Sequence, residues 1–178
     1  MLAAARVLVT QSGLDGLSMR TLADRLGVSP NALYSHVDGK AGLVDDLLDE
    51  VLADVAVPDI AAVAPADGLV ALMTSTYEVL LAHPDLVPAY VVRRGARGPN
   101  ARHLGEVVLA LLAAGGVTGP RAETALHVLI VHAIGFAAFA TDRPLGTGDP
   151  PRPASPDDLG TAFADGLHWL LAGVLTPD

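Results

Sequence analysis

"GLSMRTLADRLGVSPNALYSHVDGK", residues 16–40, contains two helix starts and a turn of three residues between them. Ser18 is a good N-cap, because its hydroxyl can accept a backbone N–H of the first turn. Leu22, Ala23 and Leu26 then face inward on a short helix that Gly27 stops. Ser29 caps the next helix at once, and Pro30 takes the first helical position, where its missing N–H costs nothing. Leu33 and Val37 form the inner side of that helix. Two short helices joined by Gly27-Val28-Ser29 have the layout of a helix-turn-helix.

With Leu33 and Val37 turned inward, the second helix presents Pro30, Asn31, Ala32, Tyr34, Ser35 and His36. None is a carboxylate, so nothing on this face repels phosphate. An amide can read a base edge, a small apolar side chain can touch a thymine methyl, and Tyr, Ser and His can bond to phosphate oxygens. Arg20 projects from the preceding helix. Lys40 opens the following one, where its charge adds to backbone N–H groups. The bare layout also fits a three-helix packing unit with a polar surface, and spacing does not separate the two. Residues 16–40 hold Arg20, Arg25 and Lys40 against Asp24 and Asp38, whereas the whole chain has 11 Lys and Arg against 20 Asp and Glu and a formal charge of -9. Hydrogen bonds and helix N-termini must therefore replace bulk charge at a nucleic acid. The acidic remainder would keep the protein soluble and limit indiscriminate binding.

Outward from this stretch, 178 residues suit one domain, or a small domain continuous with a larger one. Ala, Val and Leu supply most of the 51% hydrophobic content and aromatics only 4%, which favours closely packed helices. Residues 2–12 form a first helix with Leu2, Ala5, Leu8 and Val9 inward and Gly13 at its end. From Lys40 to about Val55, Leu43, Val44, Leu47, Leu48, Val51, Leu52 and Val55 recur at helical spacing. Asp45, Asp46, Asp49, Glu50 and Asp54 make the other side, expected to be solvated. Pro58 and Pro65 mark a boundary. Further helices are expected over 67–82, 84–93, 100–114, 120–141 and 156–174, with a long exposed loop over 142–154. No repeat appears and nothing alternates as a strand does.

From Thr124 to Thr141 there is no Asp, Glu, Lys or Arg. The run is near the lower length for crossing a bilayer. His127 and His132 interrupt it and no basic flank sets an orientation, so a buried interface helix is the better reading. The absence of cysteine excludes disulfides and thiolate metal sites, and the first residues lack a signal-peptide pattern, so the expected location is cytoplasmic.

Residues 13–52, "GLDGLSMRTLADRLGVSPNALYSHVDGKAGLVDDLLDEVL", resemble the DNA-binding domain of the tetracycline-repressor (TetR) family of transcriptional regulators. The order of features carries the resemblance: Gly13 after a first helix, "LSMRTLADRLGVS", then "LYSHV" and a lysine opening the fourth helix. It implies an all-helical fold, with a DNA-binding domain over 1–52, a linking helix over about 40–55, and a ligand-binding and dimerisation domain over 53–178. The implied DNA contacts are Ser18, Met19, Arg20, Ser29, Pro30, Asn31, Ala32, Tyr34, Ser35, His36 and Lys40. Arg20, Asn31, Pro30 and Ala32 would meet bases, and Tyr34, His36 and Lys40 phosphates. Many relatives carry a basic arm ahead of the first helix. Here Met1-Leu2 stand in its place, which implies fewer contacts or a missing beginning.

The resemblance also implies a homodimer, formed by a four-helix interface to which Leu126, Leu129, Ile130, Ala133 and Ala137 contribute with Leu159, Phe163, Leu167, Leu170 and Val174. Gly135, Gly160, Gly166 and Gly173 would permit close approach. Two-fold symmetry then implies a palindromic operator with half-sites about one DNA turn, or a multiple of it, apart. A small-molecule effector would bind among the C-terminal helices, with Met73, Tyr77, His83, Arg93, His103, His127, His132 and Trp169 as candidate anchors in a mostly apolar pocket. "RRGARGPNAR", residues 93–102, has four arginines but no following Gly-Lys-Ser/Thr, so it is not a phosphate-binding loop. No metal-spaced histidine pair, nucleophile elbow or cofactor motif is present, and no enzyme is expected. The competing reading is a helical interaction module that keeps the helix-turn-helix shape without specific DNA binding.

Overall fold

The computed structural model describes residues 1–141 and 155–176; the loop expected over 142–154 lies outside them. Helix α1 (Leu2–Gly16) is broken where the sequence places its end, because Gly13 adopts φ 67° and ψ -179°. Ala5 and Val9 are buried, and Leu2 and Leu8 pack beside them. Helix α2 (Met19–Leu26) starts on a reciprocal cap: Ser18 Oγ accepts from Thr21 N at 3.0 Å, and Thr21 Oγ1 accepts from Ser18 N at 2.9 Å. Gly27 ends α2 at φ 68°. Helix α3 (Pro30–Tyr34) is a short helix capped by Ser29 Oγ, which accepts from Ala32 N at 3.3 Å. Leu22, Ala23, Leu33 and Val37 are buried together, as the spacing predicts. Leu26, expected inward, is 37% exposed at the last position of α2, next to the left-handed Gly27.

Helix α4 (Gly39–Val51) continues as a 3-10 turn over Leu52–Asp54, and all seven of its expected inner residues are buried. It packs against α1 at one side and against α6 (Val87–Arg93) and α7 (Pro99–Ala114) at the other. Helices α5 (Pro65–Ala82), α7, α8 (Gly119–Ala140) and α9 (Pro156–Leu175) surround the larger core. Most helix ends agree with the sequence reading to within about two residues; the exceptions are the end of α1, at Gly16 beyond the break at Gly13, the end of α4, at Val51 before the 3-10 turn, and the start of α6, where Pro84–Leu86 forms a 3-10 turn ahead of Val87.

Helix α8 has 22 residues, and an 18-residue window within it, with a mean hydropathy of 1.6, is long and apolar enough to cross a membrane. It packs on α5, α6, α7 and α9, burying Ala122, Ala125, Leu129, Ala133 and Ala137. The residues of the expected dimer stripe lie mostly on the side of α8 and α9 that the chain itself covers. Leu129, Ala133 and Ala137 face the subunit's own core, as do Phe163, Leu167 and Leu171 of α9. Leu126 and Ile130 line an internal cavity, and Leu159, Leu170 and Val174 are half-buried. The outward face is also apolar: Val128, Val131 at 69% exposure, Phe139 at 76% and Trp169 at 75%. A helix apolar all round offers two such faces, and periodicity does not say which one the subunit covers itself. Of the four expected small contacts, Gly166 alone meets another helix in the subunit. A Cβ there would lie 2.8 Å from His132 Cε1, while Gly135, Gly160 and Gly173 face open space.

Candidate nucleic-acid interface and effector cavity

The surface formed by α2 and α3 follows from their caps. Because Ser29 and Pro30 fix the start of α3 and Leu33 and Val37 anchor its underside, the remaining side chains must point outward. Pro30, Asn31, Ala32, Tyr34, Ser35 and His36 are all exposed, as is Arg20 on α2. Tyr34 stands 57% exposed, an unusual place for so large a ring unless something packs on it.

The serines have local work. Ser18 and Ser29 close helix N-termini, and Ser35 Oγ donates to Ala32 O at 2.7 Å. Lys40 is exposed, but its Nζ donates to Leu14 O at 2.6 Å and ties α4 to the end of α1. Met19 is only 7% exposed and lies beneath the surface. The chain thus brings together Arg20, Pro30, Asn31, Ala32, Tyr34 and His36 as an outward set around ordered helix starts.

A cavity of about 130 Å³ lies between α5, α7 and α8, beneath the α6–α7 connection. Leu72, Met73, Leu80, Val108, Ile130 and Ile134 make its walls largely apolar. Its few polar groups are already satisfied. Thr76 Oγ1 donates to Leu72 O at 2.8 Å, and the Tyr90 hydroxyl donates to Leu48 O. Burial, with the charge of Asp49 nearby, pushes the Tyr90 phenol far above its ordinary range and keeps it protonated as a donor. Arg94, in the left-handed conformation at φ 58° at the end of α6, stands at the rim.

Of the eight residues expected to anchor a ligand, Met73 lines this cavity. Tyr77 instead stacks on Phe163, centroids 4.1 Å apart, and burial raises its pKa. His132 stacks on Phe163 at 5.0 Å and bonds to Phe163 O at 2.9 Å. His83 meets Arg6 at 3.1 Å, joining α1 to the end of α5. Arg93 forks onto Asp45 at 2.9 and 3.0 Å and also donates to Ala41 O at 2.6 Å. His103, His127 and Trp169 are exposed.

The sequence reading missed Asp49. Expected on a solvated face, it is 5% exposed, and its carboxylate accepts from Ala101 N at 2.9 Å, Asn100 N at 3.2 Å and Asn100 Nδ2 at 3.1 Å. A signal existed: α7 begins "GPN" with a glycine N-cap, so its orphan N–H groups needed an acceptor from elsewhere.

Residues 1–47 match the model of "Bacterial regulatory proteins, tetR family". An HTH-type transcriptional regulator of Saccharopolyspora erythraea is 39% identical over 65% of this chain and 49% of its own length. The HTH-type transcriptional repressor DrrR1 of Streptomyces coeruleorubidus is 33% identical over 75% of this chain and 50% of its own. The chain thus spans about half the length of these curated relatives. Among solved structures, the TetR family protein ActR of Streptomyces coelicolor, in complex with (S)-DNPA, superposes with a TM-score of 0.83 at 27% identity, covering 98% of this chain and 94% of that one. The order of helices, the capped helix-turn-helix and these matches agree: residues 1–47 belong to the tetR family of bacterial regulatory proteins, and the chain as a whole has the fold of TetR family structures.

Proposed function

We propose that two copies of this chain form a transcriptional regulator, a repressor, that grips a palindromic DNA duplex and leaves it when a small molecule fills the cavity. The observation that carries the DNA reading is the outward face of α3, exposed from Pro30 to His36 except at Leu33 and free of carboxylates. In this assignment residues 1–52 bind DNA and 53–178 hold the effector and the partner subunit. Arg20 and Asn31 meet base edges, with Pro30 and Ala32 against thymine methyls. Tyr34 and His36 meet phosphates.

Three further observations support the reading. DrrR1 is described as a repressor, and ActR was captured with (S)-DNPA. The exposed apolar side of α8 and α9, Val128, Val131, Phe139 and Trp169, suits a second copy of the same surface. The cavity walls suit an effector with a mainly apolar body.

The mechanism is a shift of α4, which touches both halves of the chain. A ligand with a coupling of about 3 kcal/mol would weaken DNA binding roughly 150-fold. The test is anisotropy of a labelled palindromic fragment taken from beside the protein's own gene. Binding should weaken steeply as salt rises. No binding to any palindromic fragment at low salt would sink the regulator reading.

A further inference from the structure

We infer that the contact of Asp49 with the first turn of α7 is the joint through which the state of the cavity reaches the DNA-binding helices. The inference rests on the regulator reading above and names residues that position α4 without touching DNA.

The geometry is that of a helix capped from outside. Gly98, the N-cap of α7, has no side chain to satisfy the first-turn N–H groups, and Asp49 on α4 supplies the acceptor. The Asn100 amide closes the contact from the other side, donating both to Asp49 Oδ2 at 3.1 Å and to Asp49 O at 3.0 Å. The carboxylate is buried, charged and at the positive end of a 16-residue helix, so its position is strongly determined. Gly98 is required by this approach: a Cβ at that position would lie 2.2 Å from Asp49 Cγ.

Two neighbouring contacts run parallel to it, the fork of Arg93 on Asp45 and the bond from Tyr90 to Leu48 O. The stretch from Tyr90 to Ala101 therefore has two sides. One side, through Tyr90, Arg94, Gly95, Ala96 and Ala101, lines the cavity. The other holds α4 at Ala41, Asp45, Leu48 and Asp49. A molecule that displaces this stretch must carry α4 along or break the cap. The opposite end of α4 is tied to α1 through Lys40 and Leu14 O, so movement at Asp49 becomes reorientation of α2 and α3.

Gly98→Ala tests the joint without any effector. The carboxylate cannot swing aside while three N–H groups hold it, so the added methyl must push α4 and α7 apart. The probe is a duplex that the wild-type protein selects from a random library. A second readout comes from the absence of cysteine: Asp24→Cys places one spin label on the exposed surface of α2 in each subunit, and the distance between the two labels reports the setting of the DNA-binding units. Gly98→Ala is expected to weaken duplex binding at least tenfold and to shift the label distance. In an Asp49→Ala background the same substitution should change affinity less than twofold, because the atoms it strikes are gone.

Wild-type affinity and distance in a Gly98→Ala protein that has only lost thermal stability overturn the joint. An equal effect in both backgrounds does so too. If Gly98→Ala does not fold, Asp49→Asn takes its place, with the same tenfold loss expected, and unchanged affinity overturns the proposal. A wild-type protein that selects no duplex fails the regulator reading instead, and the label distance then decides the joint alone.

Discussion

Tyr34 is the residue on which the proposed DNA surface can be tested most simply, since its ring is exposed and Leu33 beside it holds the helix in place. Tyr34→Ala is expected to weaken DNA binding about five- to tenfold and to leave the salt slope nearly unchanged, because a neutral hydroxyl on a phosphate displaces no counterion. The sedimentation behaviour of the protein should be unchanged. Asn31→Ala should cost about 1–3 kcal/mol at the cognate site and relax discrimination at one base pair, read by competition among duplexes. A different residue governs pH. Burial, and then the neighbouring Arg6, hold His83 below its ordinary pKa, against the smaller opposing pull of Asp54 and Glu50. The folded protein therefore binds a proton here less readily than the unfolded chain. The stability His83 confers is present above the unfolded value of about 6.5 and is lost as pH falls from there toward the folded value. Thermal melts at pH 7.5 and 5.5 should show a larger drop for the wild type than for His83→Gln.

At the scale of elements, the helix starts were readable because their chemistry is local. Ser18, Ser29 and Pro30 announce their helices by what their own atoms can do within one turn. Ser18→Ala should lower stability by about 1 kcal/mol in a denaturant titration, through loss of the cap on α2. The acidic side of α4 was misread for the opposite reason. A carboxylate row spaced along a helix looks the same whether water or another helix faces it, and the partner of Asp49 lies about fifty positions away in the chain. Likewise the ring cluster of Tyr77, His132, Phe136 and Phe163 draws on three helices, so His132 looked like a free anchor until α9 was in place. What crosses between helices is set by packing, and single-helix periodicity carries no record of it.

For the whole molecule, the two apolar sides of α8 separate folding from assembly. Leu129 is fully buried, and Leu129→Ala should cost about 2–5 kcal/mol of stability. Val131→Asp, on the outward side, should leave the melting temperature of the isolated subunit nearly unchanged but yield monomers in sedimentation and weaken operator binding. A folded dimer in that variant would move the partner surface elsewhere. The chain's single tryptophan bears on the same question. Trp169 is 75% exposed and lies with Phe136 along a shallow groove on α9, at the side argued to meet a second copy. Its indole is thus a built-in optical reporter: red-shifted and readily quenched by iodide in the dilute protein, blue-shifted and shielded as concentration rises, with no dye or tag required.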